Sequence, residues 1–135
     1  MTNTRFSIAL HIMTLLAVDE QAWLTSGHIA RSLGIQASAV RKEIQDLKEA
    51  GLVACREGKY GGIRLARPAS GIRLSEIYNC VSSGHLFEKI KMPDQGCFIG
   101  KQINLQLDEL FSTLNTAFFS ELKRLSLAQF YRQFN

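Results

Sequence analysis

The chain has 135 residues, 46% of them hydrophobic, and carries a formal net charge of +4. This length and composition predict one compact domain, or one domain with a helical appendage. No apolar run approaches the roughly 20 residues that a transmembrane helix needs, so we expect no membrane-spanning segment. The three cysteines, Cys55, Cys80 and Cys97, lie far apart without a CxxC pair, which argues against a disulfide scaffold or a zinc finger and favours a reducing cytosol.

The positive charge is concentrated in the first half of the chain. Residues 1–73 carry ten lysines and arginines against six acidic residues, whereas residues 74–135 carry six of each. Such an asymmetry is expected of a surface that binds a polyanion, although a small domain can also acquire it by chance.

The first predicted element is an amphipathic helix over residues 4–18. Its apolar residues recur three to four positions apart, the spacing that places them on one face of an α-helix. They are Phe6, Ala9, Leu10, Ile12, Met13, Leu16 and Ala17. We expect this helix to be the scaffold for the elements that follow.

Two shorter helices follow, joined by the sequence LGIQAS at residues 33–38. Thr25 can cap the first of them, which carries the apolar residues Ile29, Ala30 and Leu33. Gly34 can end it in the left-handed conformation, and Ile35 would then fill the gap between the two helices. This spacing predicts a helix-turn-helix.

The second short helix is predicted from Ala37 to the pair Ala50-Gly51, with three apolar side chains turned inward: Val40, Ile44 and Leu47. Its other faces carry polar side chains that could reach base edges in a DNA major groove. They are Ser38, Arg41, Lys42 and Gln45. Taken alone, this pattern also describes an ordinary solvated helix face.

The segment EGKYGGIRLARP, residues 57–68, predicts a basic β-hairpin with a glycine-rich tip, because apolar runs at 52–55 and 63–66 flank it. Residues 58–61 also spell the GxxG of KH domains, but that motif joins two helices and this one joins two strands. A helix-turn-helix followed by a basic hairpin is the element order of a winged helix. The joint pattern therefore favours DNA binding.

Three segments of the chain carry a resemblance to a known family. They are IARSLGIQASAVRKEIQDLKEAGLV (29–53), GGIRLARP (61–68) and IRLSEIY (72–78). Together they resemble the Rrf2 family of bacterial winged-helix transcription regulators, from residue 5 to about residue 82 and more loosely through the last helix. Ala39 departs from the pattern, since relatives often have tyrosine there, so a base preference cannot be carried over.

The resemblance implies DNA contacts for particular residues. Bases or nearby phosphates would be contacted by Ser38, Arg41 and Lys42, and the backbone or minor groove by the wing residues Lys59, Tyr60 and Gly61. The complete set of predicted DNA-binding residues also includes Thr25, Gln45, Arg56 and Gly62.

The C-terminal half is predicted to be helical. A fourth helix buries Leu74, Ile77, Tyr78 and Val81, with Cys80 as a small core residue. Residues 84–96 have the composition of a linker. A long helix from Gly100 to Arg124 then carries a wide apolar surface, formed by Ile103, Leu107, Leu110, Phe111, Leu114, Ala117, Phe118, Leu122 and Leu125.

This apolar surface exceeds what one small domain can cover, and a twofold partner would bury it. Members of the resembled family dimerise through a long helix at this place. The sequence therefore predicts a homodimer, and a monomer whose long helix folds back on itself is the alternative.

Several members of the family hold an iron–sulfur cluster with three cysteines in the linker, whereas this chain has only Cys97 there. His85 is the only nearby alternative ligand, so we expect no cluster and no other cofactor. Cys97 precedes a helix N-terminus with Lys101 close by, and both features favour the thiolate form of cysteine. We therefore predict a redox-sensing thiol at Cys97, with an inert cysteine or a small ligand at the dimer interface as the alternatives.

The predicted fold is mostly α with a small β-hairpin. It comprises a winged helix-turn-helix at 1–82, a linker or sensor loop at 83–99, and a dimerisation helix with a C-terminal helix at 100–135. No catalytic triad, paired acidic motif or nucleotide-binding loop is present, so we expect no enzyme. The predicted function is a cytoplasmic repressor that binds double-stranded DNA as a homodimer on a pseudo-palindromic operator. A winged-helix module that binds protein is the alternative.

Overall fold

The computed structural model describes residues 2–82, 94 and 96–134. Over these residues the chain forms six α-helices and one antiparallel two-stranded sheet. In chain order the elements are α1 (Thr2–Val18), α2 (Ser26–Leu33), α3 (Ala37–Glu49), β1 (Val53–Arg56), β2 (Gly62–Leu65), α4 (Leu74–Val81), α5 (Phe98–Arg124) and α6 (Leu127–Arg132). A short 3₁₀ turn, Ala69–Gly71, precedes α4. The predicted class, mostly α with a small hairpin, is confirmed.

The scaffold of the fold is α1, which contacts α2, α3, α4, α6 and β2. Of its predicted apolar face, Ala9, Ile12 and Met13 are fully buried, whereas Phe6 and Leu10 are only partly covered. The other elements add side chains to the same core, including Ile29, Val40, Leu47, Leu52, Ile72, Ile77 and Leu127. One continuous core therefore joins both ends of the described chain.

The helix-turn-helix forms through the local signals that predicted it. Thr25 is extended, and its hydroxyl oxygen accepts a hydrogen bond from the backbone N–H of His28 at 3.1 Å. Gly34 has φ 71°, and its N–H donates to the carbonyl of Ala30 at 2.8 Å. Ile35 donates to the same carbonyl and packs against the core. The turn thus satisfies a carbonyl at the end of α2 while it redirects the chain into α3.

The hairpin lies one residue away from its predicted position on both strands. Leu52 is buried, and its N–H donates to the carbonyl of Leu47 at 3.0 Å, so this residue belongs to the turn that caps α3 instead of beginning β1. Leu24 extends the hairpin on its other side, because Leu24 and Ile63 exchange two backbone hydrogen bonds of 2.9 and 2.7 Å. The wing is therefore attached to the segment that precedes α2.

The segment from the end of α5 through α6 packs against α1 and the residues that precede α4. Leu125 accepts a hydrogen bond from the N–H of Leu74 at 3.0 Å, and Leu127 donates to the carbonyl of Ile72 at 2.8 Å. Leu127 is fully buried, and α6 packs on α1. The predicted division into 1–82, 83–99 and 100–135 stays a prediction, and most of its linker, residues 83–93 and 95, lies outside the described residues.

An ion-pair cluster that the sequence did not predict joins α1 to α3. The guanidinium of Arg5 contacts Oε1 of Glu43 at 3.0 Å and Oδ2 of Asp46 at 2.8 Å. The Glu43 side chain is only 7% exposed. The hydrogen bond to Glu43, with the charges of both carboxylates, outweighs burial and raises the pKa of Arg5. Arg5 therefore remains a cation in this cluster.

The Arg5 cluster makes a prediction for stability. Arg5→Met keeps much of the aliphatic packing but leaves the Glu43 carboxylate buried without its partner, so the free energy of unfolding should fall by about 2 kcal/mol. Urea denaturation followed by circular dichroism measures this change. The double variant Arg5→Met/Glu43→Met should recover most of the loss, because it leaves no buried charge unpaired at that site. An unchanged midpoint for Arg5→Met would contradict this role.

Candidate nucleic-acid interface

An open groove of about 500 Å³ separates α3 from the hairpin. Residues of α2, α3, β1 and β2 line it. Six of the ten predicted DNA-binding residues are among them: Thr25, Arg41, Gln45, Arg56, Gly61 and Gly62. The structure therefore brings the helix-turn-helix and the wing together on one surface.

The other four predicted residues flank this groove on the same two units. Ser38 and Lys42 are exposed on α3. Lys59 and Tyr60 form the exposed tip of the hairpin, where the Lys59 ammonium lies 5.6 Å from the centroid of the Tyr60 ring. Tyr60 is 76% exposed. An aromatic ring this far out of the core can stack on or pack against another molecule.

The acidic side chains of α3 are held away from the groove or engaged by neighbours. Glu43 and Asp46 are bound by Arg5 on the side that faces α1. Glu49 accepts a hydrogen bond from the Gln45 amide at 3.1 Å. The groove wall of α3 therefore presents Arg41, Gln45 and Lys48, and the charge across from it is Arg56 with one acidic neighbour, Glu57. Positive charge predominates in the groove.

Three of the predicted contact residues have local structural roles. Thr25 caps α2, as described above. Gly61 closes the hairpin tip through its N–H, which donates to the carbonyl of Gly58 at 3.0 Å. At Gly62 a β-carbon would lie 2.7 Å from the carbonyl oxygen of Leu24, so glycine is required for this segment to approach β2.

Two arginines of the wing gather on one indole ring, an arrangement that the sequence did not predict. The guanidinium carbons of Arg56 and Arg64 each lie 4.3 Å from the ring centroid of Trp23. Arg56 also donates from Nε and Nη2 to the carbonyl oxygen of Tyr60, at 3.1 and 2.5 Å. The register pairs Arg64 with Ala54 and Arg56 with Gly62, so alternation along the strands places both arginines on one face. Trp23 gave no sequence signal of its own.

The three cysteines lie in three different settings. Cys55 is exposed on β1 and lines the groove. Cys80 is partly buried, and its thiol donates to the carbonyl of Glu76 at 3.3 Å. Burial, reinforced by nearby carboxylates, raises the pKa of the Cys80 thiol and keeps it protonated. Cys97 is exposed at the N-cap position of α5, and its carbonyl accepts from the N–H of Lys101 at 3.0 Å.

A second candidate surface is the apolar face of α5. The C-terminal half of the helix packs on α4 through Phe118 and Phe119, whose rings meet Tyr78 edge to face at 5.0 and 5.6 Å. Further towards the N-terminus, Ile103, Leu110 and Leu114 remain 38 to 51% exposed. Together with Leu107 these residues lie within one narrow stripe of the helix, because their spacing is close to whole turns.

The winged helix-turn-helix, with its cationic groove between α3 (the reading helix) and the hairpin (the wing), defines a DNA-binding protein of the transcription-regulator class. Residues 2–133 match the Rrf2 family, which is described as an iron-dependent transcriptional regulator. The chain belongs to the Rrf2 family.

Individual proteins that are similar to this chain support its membership of this family. "Putative HTH-type transcriptional regulator YwnA" from Bacillus subtilis (strain 168) is 34% identical over 128 residues, which cover 94% of each chain. The structure of CymR (YrzC), the global cysteine regulator of B. subtilis, has a TM-score of 0.77 at 20% identity and covers 98% of this chain and 96% of that one, so the likeness concerns the fold. A structure described as a "putative DNA binding protein" has a TM-score of 0.73 at 32% identity, over 93% of this chain and 97% of that one.

The family is described as iron-dependent, and iron needs a set of suitable ligands in the protein. Iron–sulfur clusters are held by sets of cysteine thiolates. Within residues 2–82, 94 and 96–134, no three His, Cys, Asp or Glu side chains come together. The cysteines lie on β1, on α4 and at the start of α5, and His85 is outside the described residues. The described donors therefore do not fit such a cluster.

None of the described helices is both long and apolar enough to cross a bilayer.

The close approach at Gly62 makes a prediction. Gly62→Ala should lower the free energy of unfolding by about 1 to 3 kcal/mol, because the new methyl group meets the backbone of Leu24 and must push the wing away. Gly71→Ala is a matched control, since a β-carbon there has no neighbour within 4 Å. Thermal unfolding should separate the two variants by several degrees. Equal melting temperatures would show that the wing tolerates displacement from Leu24.

Proposed function

We propose that the protein binds a pseudo-palindromic DNA site as a homodimer and acts as a repressor. In each subunit, α3 enters the major groove and presents Ser38, Arg41, Lys42 and Gln45 to bases and adjacent phosphates. The wing, with Arg56, Lys59 and Tyr60, follows the flanking backbone or minor groove. A dimer seated on promoter DNA can repress by occupancy, because RNA polymerase cannot use the same site.

One observation carries this proposal: the reading helix and the wing share one cationic groove, while Arg5 holds two carboxylates of that helix on the opposite side. A helix that presented Glu43 and Asp46 to a phosphate backbone would repel it. With both carboxylates bound internally, the outward charge of α3 comes from Arg41, Lys42 and Lys48 next to a single exposed acid, Glu49. This arrangement suits a polyanion better than an acidic protein partner of irregular shape.

The dimer part of the proposal rests on α5. Its stripe of Ile103, Leu107, Leu110 and Leu114 carries large apolar side chains that the described residues cover only in part. The same stripe on a second copy offers a self-complementary cover, as a twofold interface requires. Two reading helices held by such a dimer can meet two half-sites about one helical turn, roughly 34 Å, apart.

The DNA part predicts distinct effects for two cations. Arg41→Ala should cost about 1 to 3 kcal/mol of binding energy and weaken discrimination at one base position, if its side chain reaches a base edge. Lys59→Ala should weaken binding to all sequences alike and reduce the slope of log K against log salt by about 0.9, the value of one phosphate contact. Fluorescence anisotropy at several salt concentrations, with duplexes from the region upstream of the protein's own coding sequence, measures both.

Lys123→Ala, an exposed lysine in the last turn of α5, is the matched control and should leave both quantities unchanged. Binding that ignores salt, or no binding to any duplex, would contradict the DNA proposal and favour a protein partner.

The dimer part predicts that Leu110→Asp converts the protein to a monomer, because association would have to bury an unpaired carboxylate. Leu105→Asp is the matched control: Leu105 is also exposed, at 62%, but lies on the opposite side of α5. Analytical ultracentrifugation at micromolar concentration should give a dimer for the native protein and for Leu105→Asp. A native monomer, or equal loss in both variants, would contradict the role of this stripe. Point substitutions are preferable to truncation, since removing α6 would also remove the buried Leu127.

We further propose that oxidation of the Cys97 thiol controls DNA binding by the dimer. Cys97 is exposed at the start of α5, and in the chain it lies between the winged helix and the apolar stripe of α5 that begins at Ile103. Hydrogen peroxide transfers one oxygen atom to the thiolate and leaves as hydroxide, giving a sulfenic acid that a second thiol can convert to a disulfide. A new group at this position could tilt the two reading helices relative to each other, and DNA binding requires their spacing to match both half-sites.

The thiol proposal is best tested in a Cys55→Ser background, because Cys55 is itself exposed in the groove. Peroxide should weaken DNA binding by Cys55→Ser and should not affect Cys55→Ser/Cys97→Ser. Serine can also cap a helix, so the second substitution preserves the start of α5. Cys55→Ser/Cys80→Ser should respond like Cys55→Ser. Equal loss of affinity with and without Cys97, or no response in Cys55→Ser, would make Cys97 structural.

A further inference from the structure

We propose that Trp23, Arg56 and Arg64 form a phosphate-binding unit of the wing, in which Trp23 is the positioning residue. We call these three residues the Trp23 cluster. The unit would bind the sugar–phosphate backbone beside the bases that α3 contacts. This inference rests on the proposed DNA binding and adds to it two residues, Trp23 and Arg64, with distinct tasks.

The backbone of the wing brings the three side chains together. Leu24 pairs with Ile63, so Trp23 and Arg64 are the immediate neighbours of a bridged pair on adjacent segments. Arg56 reaches the same ring from β1, because the register sets it diagonally across from Arg64 on one face of the hairpin. The distance of 4.3 Å from each guanidinium carbon to the ring centroid is within the range of a cation–π contact.

The charge of the cluster is the unusual feature. Two guanidinium groups share one indole, and among the described residues neither has a carboxylate within ion-pair distance. The ring attracts both cations, but it does not neutralise them, so the repulsion between them persists. A bound anion would relieve it. Arginine suits this task, because its planar group can stack on an aromatic face and still direct N–H groups at a phosphate.

The two arginines differ in what they have left to donate. Arg56 directs Nε and Nη2 at the Tyr60 carbonyl and thereby fixes the hairpin tip. Arg64 stacks on Trp23 without a comparable hydrogen bond to another described residue. Arg64 therefore keeps more of its N–H groups for an incoming phosphate than Arg56 does, although its side chain is partly buried. Arg56 lines the groove with Arg41, whereas Arg64 lines a neighbouring pocket with Glu20 and Gln21. The cluster therefore lies beside the proposed DNA surface and meets it at Arg56.

A purely structural cluster would make different predictions. If Trp23 only stabilised the wing, its loss would change the unfolding temperature and leave the salt dependence of DNA binding as it was. If the cluster holds a phosphate, Arg64→Ala should reduce the slope of log K against log salt by about 0.9, with the fold intact by circular dichroism. Arg64→Lys keeps the charge without the planar stack and should retain most of the slope. Arg132→Ala, an exposed arginine on α6, should retain all of it.

Trp23 itself is tested by coupling. Trp23→Leu removes the ring that holds Arg64, so Arg64→Ala should cost less affinity in that background than in the native protein. Trp23→Phe keeps an aromatic face and should restore the coupling in part. Additive losses from Trp23→Leu and Arg64→Ala would overturn the positioning role, because contacting residues that act together are non-additive.

A spectroscopic measurement reports on the cluster directly, since Trp23 is the only tryptophan of the chain. Iodide, an anion, should quench the Trp23 emission more strongly in the native protein than in Arg64→Ala. Acrylamide is neutral, so it should quench Arg64→Ala at least as strongly as the native protein. Addition of duplex DNA should then protect the native protein from iodide. Iodide quenching that is unchanged in Arg64→Ala, or unchanged by bound DNA, would overturn the inference.

The outcomes separate the two proposals. If the native protein binds DNA and Arg41→Ala weakens it, while Arg64→Ala changes neither salt slope nor quenching, only the Trp23 cluster is refuted. If the native protein binds no duplex at any salt concentration, both are refuted.

Discussion

The rotation of α3 about its own axis is the constraint on which the candidate surface depends. An α-helix turns by about 100° per residue, so an error of one position would turn Arg41 and Gln45 into the core in place of Val40 and Ile44. Val40, Ile44 and Leu47 set the rotation by burial in the core. Arg5 sets it a second time, because Glu43 can reach the guanidinium only when the apolar residues face inward. The apolar packing and the ion pair therefore both favour the same rotation of α3.

The wing is held in register with that helix by the short segment before α2. Leu24 pairs with Ile63 of the hairpin, and Thr25, the next residue, caps α2. Two adjacent residues therefore connect the wing to the helix-turn-helix, and the glycine at position 62 allows the two segments to lie in close contact. A surface built this way presents helix and wing at a fixed spacing, which a rigid duplex requires from its partner.

The sequence predicted what depends on neighbouring residues and missed what depends on distant ones. Local signals such as the Thr25 cap, the left-handed Gly34 and the spacing of Val40, Ile44 and Leu47 predicted the helix-turn-helix correctly. The ion pair of Arg5 with Glu43 spans 38 positions, and no periodic pattern reports it. The Trp23 cluster and the return of α6 onto α1 likewise follow from tertiary packing. The one-residue error in the first strand arose at Leu52, whose backbone N–H caps the end of α3 although its side chain suits a strand.

The central claim is that α3 and the wing form a single DNA-binding surface. Amide chemical shifts of ¹⁵N-labelled protein, recorded while a duplex from its own upstream region is added, test this most directly. The account predicts perturbations concentrated at residues 38–45 and 56–64, with α6 unaffected. Perturbations confined to α5 and α6, or to the wing without α3, would contradict it.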